Sequence, residues 1–209
     1  MHLRKPNLVL ASLIASSLVF GASRAQTHEA RPASSYATSV GTPLSTIIVF
    51  GDQYNGGDEL YDVKITIAEV VRGEKAWQLV KAASDVNAAP APGMEYLLAR
   101  VKFDFSARVR PEHYSYTLDS SQFSAMSSAT APYASAGLTA PVKPELRATL
   151  HSGDSAEGWV AFLVPRSDHT PLMMFREDVG SVIHQGDASF FKLYYEDSVP
   201  ASTAKAKSL

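Results

Sequence analysis

The chain has 209 residues, 19 Lys and Arg against 21 Asp and Glu, 45% hydrophobic residues and no cysteine. That length suits one domain plus tails. The mild net charge of −2 argues against nucleic acid, which calls for a clustered basic face, and the absence of thiols excludes disulfides, thiolate metal sites and a lipid-anchoring lipobox.

The first predicted element is a secretory signal peptide over residues 1–25. Arg4 and Lys5 make the start basic, residues 8–22 form a short oily run, and Ser23-Arg24-Ala25 offers small residues for cleavage. The run is short for a membrane span, which needs ~20 residues. Cleavage would leave 16 basic against 21 acidic residues, a balance suited to a soluble secreted or periplasmic protein with no membrane span. Residues 26–44 are rich in Ala, Ser, Thr and Pro without periodicity, and read as a flexible leader. The domain is expected at 45–197, with a disordered tail at 198–209.

Within the domain, strands dominate. Residues 46–51 form a short β-branched run, followed by a Gly/Asn/Asp turn cluster. Tyr61, Val63, Ile65 and Ile67 alternate with polar residues, as do Leu97, Ala99, Val101, Phe103 and Phe105 with Arg100, Lys102 and Asp104. A period of two marks strands with one buried face. Further short strands are expected at 114–118, 122–126, 146–150, 159–164, 172–175 and 190–195. Between them, residues 73–87 place Ala76, Trp77, Val80 and Ala83 at helical spacing. This predicts a helix of about three turns with an apolar stripe laid on the sheet, ended by the prolines of 88–93. Residues 127–144 are poor in charge and read as a long inserted loop. Many short strands separated by turns predict an all-β, antiparallel β-sandwich of about 7–8 strands with one short helix.

Three segments carry a resemblance: G-E-K-A-W-Q-L-V-K-A-A followed by Asn87, P-G-M-E-Y-L-L-A-R-V-K-F ending at residue 103, and L-H-S-G-D-S-A-E-G-W-V-A-F-L-V-P over 150–165. Their order, closed by P-L-M-M-F at 171–175, resembles the telokin-like, immunoglobulin-like extracellular domains of bacteria, a family of unknown function. It is similar in fold class to a secreted immunoprotective antigen. The resemblance covers roughly residues 46–176 and implies an immunoglobulin-like sandwich and export. It implies no chemistry and carries over no site residues.

Candidate chemistry is sparse. Ser152, His151 and Asp154 sit together beside Gly153, where Ser and Asp serve as turn formers; His151 and Asp154 head the alternative of a small secreted hydrolase. His113, His151, His169 and His184 show no zinc-binding spacing. Asp52, Asn55, Asp58 and Glu59 are oxygen donors in a loop, in an order unlike an EF-hand, so the expectation is no metal and no cofactor. Glu177 and Asp178, being adjacent, would point to opposite faces of a strand. Arg108, Arg110 and His113 read as a solvated edge. Phe190, Phe191, Tyr194 and Tyr195 read as core.

The strand at 159–164 is apolar on both faces. Val160, Phe162 and Val164 should face the core of the sandwich, with the strand at its centre. Trp159, Ala161 and Leu163 then need a cover, from the helix around Trp77 or from the loop at 127–144. Left bare, Trp159, Leu163 and Trp77 would form a candidate binding surface. The functional expectation is an exported binding or interaction module of the cell envelope without catalytic activity, its partner an envelope protein, glycan or other surface ligand. A structural envelope protein is a further alternative.

Overall fold

The computed structural model describes residues 33–51, 57–109, 113–177 and 188–199. The proposed signal peptide and nearly all of the proposed tail lie outside these residues. Nine strands and one α-helix occur among them: β1 (Leu44–Phe50), β2 (Glu59–Arg72), α1 (Glu74–Ala83), β3 (Met94–Ala107), β4 (Tyr116–Asp119), β5 (Phe123–Met126), β6 (Arg147–Leu150), β7 (Ser155–Pro165), β8 (Leu172–Phe175) and β9 (Ser189–Lys192). The chain is mostly β, and its strand pairs are antiparallel. No helix among the described residues is long and apolar enough to cross a membrane.

The largest sheet has the order β1-β2-β3-β7; β4-β6 and β5-β8-β9 form two smaller sheets. Alternation decides which face of the large sheet is buried. Val63 and Ile65 of β2, Val101 and Phe103 of β3, and Val160 and Phe162 of β7 all point into one core. Tyr116 and Leu118 of β4, Leu150 of β6, Phe123 of β5, Phe175 of β8 and Phe191 of β9 meet them there. Aromatic rings fill much of it, with Tyr61 stacked on Phe105 and Phe103 on Tyr116 at centroid distances of 4.6 and 5.5 Å.

Two local features depart from the sequence pattern. The alternation of β2 breaks at Ala68 because the register with β3 shifts between Ile67 and Glu69. One extra residue at a bulge swaps the faces of all that follows. Val70 therefore packs on the main core, and Val71 on the opposite side of the sheet. The second departure is the position of β7, which is an edge strand of the large sheet and not the central strand its double-sided apolar character predicted.

Packing also starts before residue 45. Ala33 and Ala37 are buried, and Thr38 pairs in parallel with Phe191 of β9, so part of the expected leader is built into the fold. The short 3-10 turn Ser120–Gln122 links β4 to β5. Asp119 caps it, accepting from the Ser121 N–H at 2.9 Å, while Arg147 opposite it on β6 donates to the same carboxylate at 2.7 and 2.9 Å. The Ser121 N–H first, and Arg147 after it, hold the Asp119 carboxyl below its usual value. A lowered carboxyl adds stability that is complete above the unfolded value, about 3.9, and is lost as pH falls through the folded one. The melting midpoint should thus decline below pH ~4. Asp119→Asn should shrink that decline in calorimetric scans; an unchanged acid limb in the variant would count against this role.

Candidate functional site

The outer face of the large sheet is where the candidate residues fall. On β3 and β7 the cross-strand pairs Leu98 with Ala161 and Tyr96 with Leu163 lie on this side. Both expected covers are present. Ala76, Trp77, Val80 and Ala83 of α1 pack on these residues from one direction, and Ala136, Leu138 and Val142 from another. The apolar stripe predicted for the helix is thus the face it buries, with Trp77 stacked on Tyr96 at 5.9 Å. Trp159 and Leu163 are half-buried in the same cluster.

The segment from 132 to 146 acts as a strap. It begins at β5, where Pro132 pairs with Met126 and the Tyr133 N–H donates to the Ala125 carbonyl at 2.9 Å. Ser135 then pairs with Phe162 of β7. At its far end the Trp159 N–H donates to the Pro144 carbonyl at 2.8 Å, and the Leu146 N–H to the Trp159 carbonyl at 3.4 Å. The strap so satisfies backbone groups on the edges of two sheets, which would otherwise invite pairing with other chains.

Two polar clamps hold it. Near the start, the Tyr133 hydroxyl donates to the Asp168 carboxylate, whose other oxygen takes the Thr170 N–H at 2.8 Å. Burial first, and the Asp168 charge after it, push the Tyr133 hydroxyl well above the usual tyrosine range. Arg72 donates to the Asp168 carbonyl at 2.9 Å and to Glu95 at 2.7 Å. Near the far end, Asn87 is only 5% exposed. Its amide nitrogen donates to the Val80 carbonyl of α1 and the Ala140 carbonyl of the strap, both at 2.9 Å, and its oxygen takes the Ala140 N–H at 3.0 Å. Asn87 stood in the sequence only as the residue following the helix. The low charge of the Ala- and Pro-rich strap was its one advance sign that the chain would lie against something apolar.

Between the strap, β5 and β7 a cleft of about 570 Å³ remains. Its lining includes Phe123, Ser124, Tyr133, Ser135, Glu145 and Trp159. The volume lies within the ~300–1,000 Å³ usual for small-molecule sites, and the wall mixes apolar side chains with serines and one glutamate. No lysine or arginine lines the cleft, so its charge does not favour anions. Of the three candidate residues, Trp159 is the one that reaches it; Trp77 and Leu163 do not line it.

The other candidates are placed as follows. The Ser152 hydroxyl accepts the Ala107 N–H at 2.9 Å, and the Asp154 carboxylate the His151 N–H at 2.8 Å. These are turn bonds to backbone, with the His151 side chain exposed. Glu59 accepts from the Tyr61 hydroxyl at 2.7 Å and the His113 N–H at 2.9 Å, and its carboxyl is lowered chiefly by that N–H. Together with the Tyr61 hydroxyl, which accepts the Tyr114 N–H at 3.1 Å, it ties residues 113–114 back onto β2. Arg108 pairs with Asp62 at 2.7 Å. His169 is exposed. Phe191 is buried in the main core, and Phe190 and Tyr194 pack with Ala33, Ala37, Met126 and Leu172, while Tyr195 is 47% exposed. Asp52, Asn55, Arg110, Asp178 and His184 lie outside the described residues. Among the described residues no group of three or more His, Asp or Glu gathers as a metal site. Comparison with protein-family models, curated proteins and solved structures found no match for this chain.

Proposed function

We propose that this chain is an exported, immunoglobulin-like recognition module of the cell envelope, and that it takes its ligand in the cleft between β5, β7 and the strap. The observation that carries the reading is the cleft itself. It is about 570 Å³ in volume, and Trp159, Ser124 and Ser135 are among the residues that line it. An indole offers a large apolar contact face, and serine hydroxyls serve as both donors and acceptors. The strap's two clamps hold its walls in place, which limits the ordering cost of binding. Export rests on the basic, oily and small-residue pattern of residues 1–25, and the immunoglobulin-like assignment on the resemblance to telokin-like domains. Under this reading the polar atoms of Ser152 and Asp154 serve the turn.

The test is equilibrium binding of the purified chain to fractionated envelope glycan, protein and lipid. Trp159→Ala should weaken the recovered interaction by about tenfold or more, as for a central aromatic contact. Trp77→Phe, away from the cleft, should leave it within about twofold. Equal loss in both variants, or no retention on any fraction, would refute the site.

A further inference from the structure

Sheet edges are where a β-protein is open to pairing with other chains, and natural edges are covered, charged or bulged. This molecule treats its edges unequally. On β5, Met126 pairs with Pro132; on β7, Phe162 pairs with Ser135 and Trp159 with Glu145; on β9, Phe191 pairs with Thr38. The two strands of the smallest sheet are only four residues long and each carries a charge at one end, Asp119 on β4 and Arg147 on β6, so they offer little edge to pair with. The remaining edge is β1. Its sequence, Leu-Ser-Thr-Ile-Ile-Val-Phe, has no charge and no proline, and its register with β2 runs unbroken from Leu44 to Phe50. Among the described residues no segment pairs with its other side. Ile47, at its midpoint, is 36% exposed.

We propose that β1 is a homodimer interface, in which two copies join edge to edge by antiparallel pairing about a two-fold axis at Ile47. The strand's composition favours a second copy as the occupant. A two-fold interface must be self-complementary, each position meeting its mirror position on the partner. Pairing centred on Ile47 would set Leu44 against Phe50, Thr46 against Ile48, Ser45 against Val49, and Ile47 against itself. Every pair is neutral, and the inner-face pair at each end joins two apolar side chains that are only part-buried in one copy. β-Branched residues suit such cross-strand contacts, and the backbone groups of both edges gain partners. The result would be one continuous sheet of eight strands across the dimer, leaving the cleft at the opposite edge of each large sheet.

Sedimentation equilibrium of the purified chain across the micromolar range tests this. The expected result is a concentration-dependent rise to twice the chain mass. Ile47→Lys sets two ammonium groups against each other at the axis and should weaken dimerisation by at least ~10-fold, since directly opposed like charges are unfavourable. Ile47→Thr, neutral and β-branched, should remain a dimer. If Ile47→Lys does not fold, as judged by its melting transition, the double variant Ser45→Lys with Val49→Lys, which sets lysines opposite each other on both sides of the axis, replaces it. A chain that stays monomeric throughout overturns the proposal. So does a dimer that withstands the lysine variants, which would place its interface elsewhere.

Discussion

Replacing Asn87 with alanine lowers the thermal unfolding midpoint by roughly 5–15 °C, on the order of 2–4 kcal/mol. The side chain is buried and serves three backbone groups, the carbonyls of Val80 and Ala140 and the N–H of Ala140. Alanine removes the partner and leaves these groups facing a site that water does not reach, which costs more than a hydrogen bond contributes. Asn87→Asp should be about as damaging, because a carboxylate accepts from the Ala140 N–H yet cannot donate to either carbonyl. The loss should appear locally first. Hydrogen exchange should quicken at the end of α1 and over residues 138–142, while the centre of β3 stays protected. A midpoint shift below ~2 °C would mean that the strap is held without this clamp.

The second large effect is expected at Gly158. Its backbone takes an ordinary conformation, so the need for glycine comes from space. A Cβ there would lie 2.5 Å from the Leu146 nitrogen and 2.6 Å from the Glu145 carbonyl carbon. Those atoms are backbone, in the last part of the strap, and cannot rotate aside. Gly158→Ala therefore forces β7 and the strap apart and should cost about 1–3 kcal/mol, or roughly 3–10 °C. The two backbone bonds between Trp159 and residues 144 and 146 lie next to it, so Gly158→Val should do more. If Gly158→Ala melts within ~1 °C of the native chain, the close crossing is wrong. Both substitutions act on the strap, so each should also weaken binding in the cleft without touching Trp159.

Much of the fold could be read from residue order. Alternation placed the buried faces of β2 and β3, because a side-chain period of two leaves little choice once one face is apolar. Spacing placed the stripe of α1, and Ala76 and Val80 of that stripe are buried. The need for a cover over Trp159 and Leu163 followed from a strand apolar on both faces, and Ala136, Leu138 and α1 supply it. Other features were not legible. The extension of β2 past Ala68 was hidden because a bulge reverses the alternation there. The path of the strap was not legible because its contacts are bonds to distant edges, and bonds to backbone leave no mark on side-chain pattern.

What the sequence determined by itself was the class of the chain: strands with one or two oily faces, one amphipathic helix between them, and no thiol chemistry. These depend on local periodicity and composition, which any short window reveals. The tertiary structure alone decided that β7 lies at an edge, that the strap crosses it at Gly158, and that Asn87 joins helix to strap. Such facts depend on which segments meet in space, from Gly158 beside Leu146 to Asn87 against Ala140, and much of what they meet is backbone, which varies little with the residue type. A doubly apolar strand reads alike at the centre of a sheet and at its edge under a strap. In this chain it is the second, and that arrangement leaves the cleft beside Trp159.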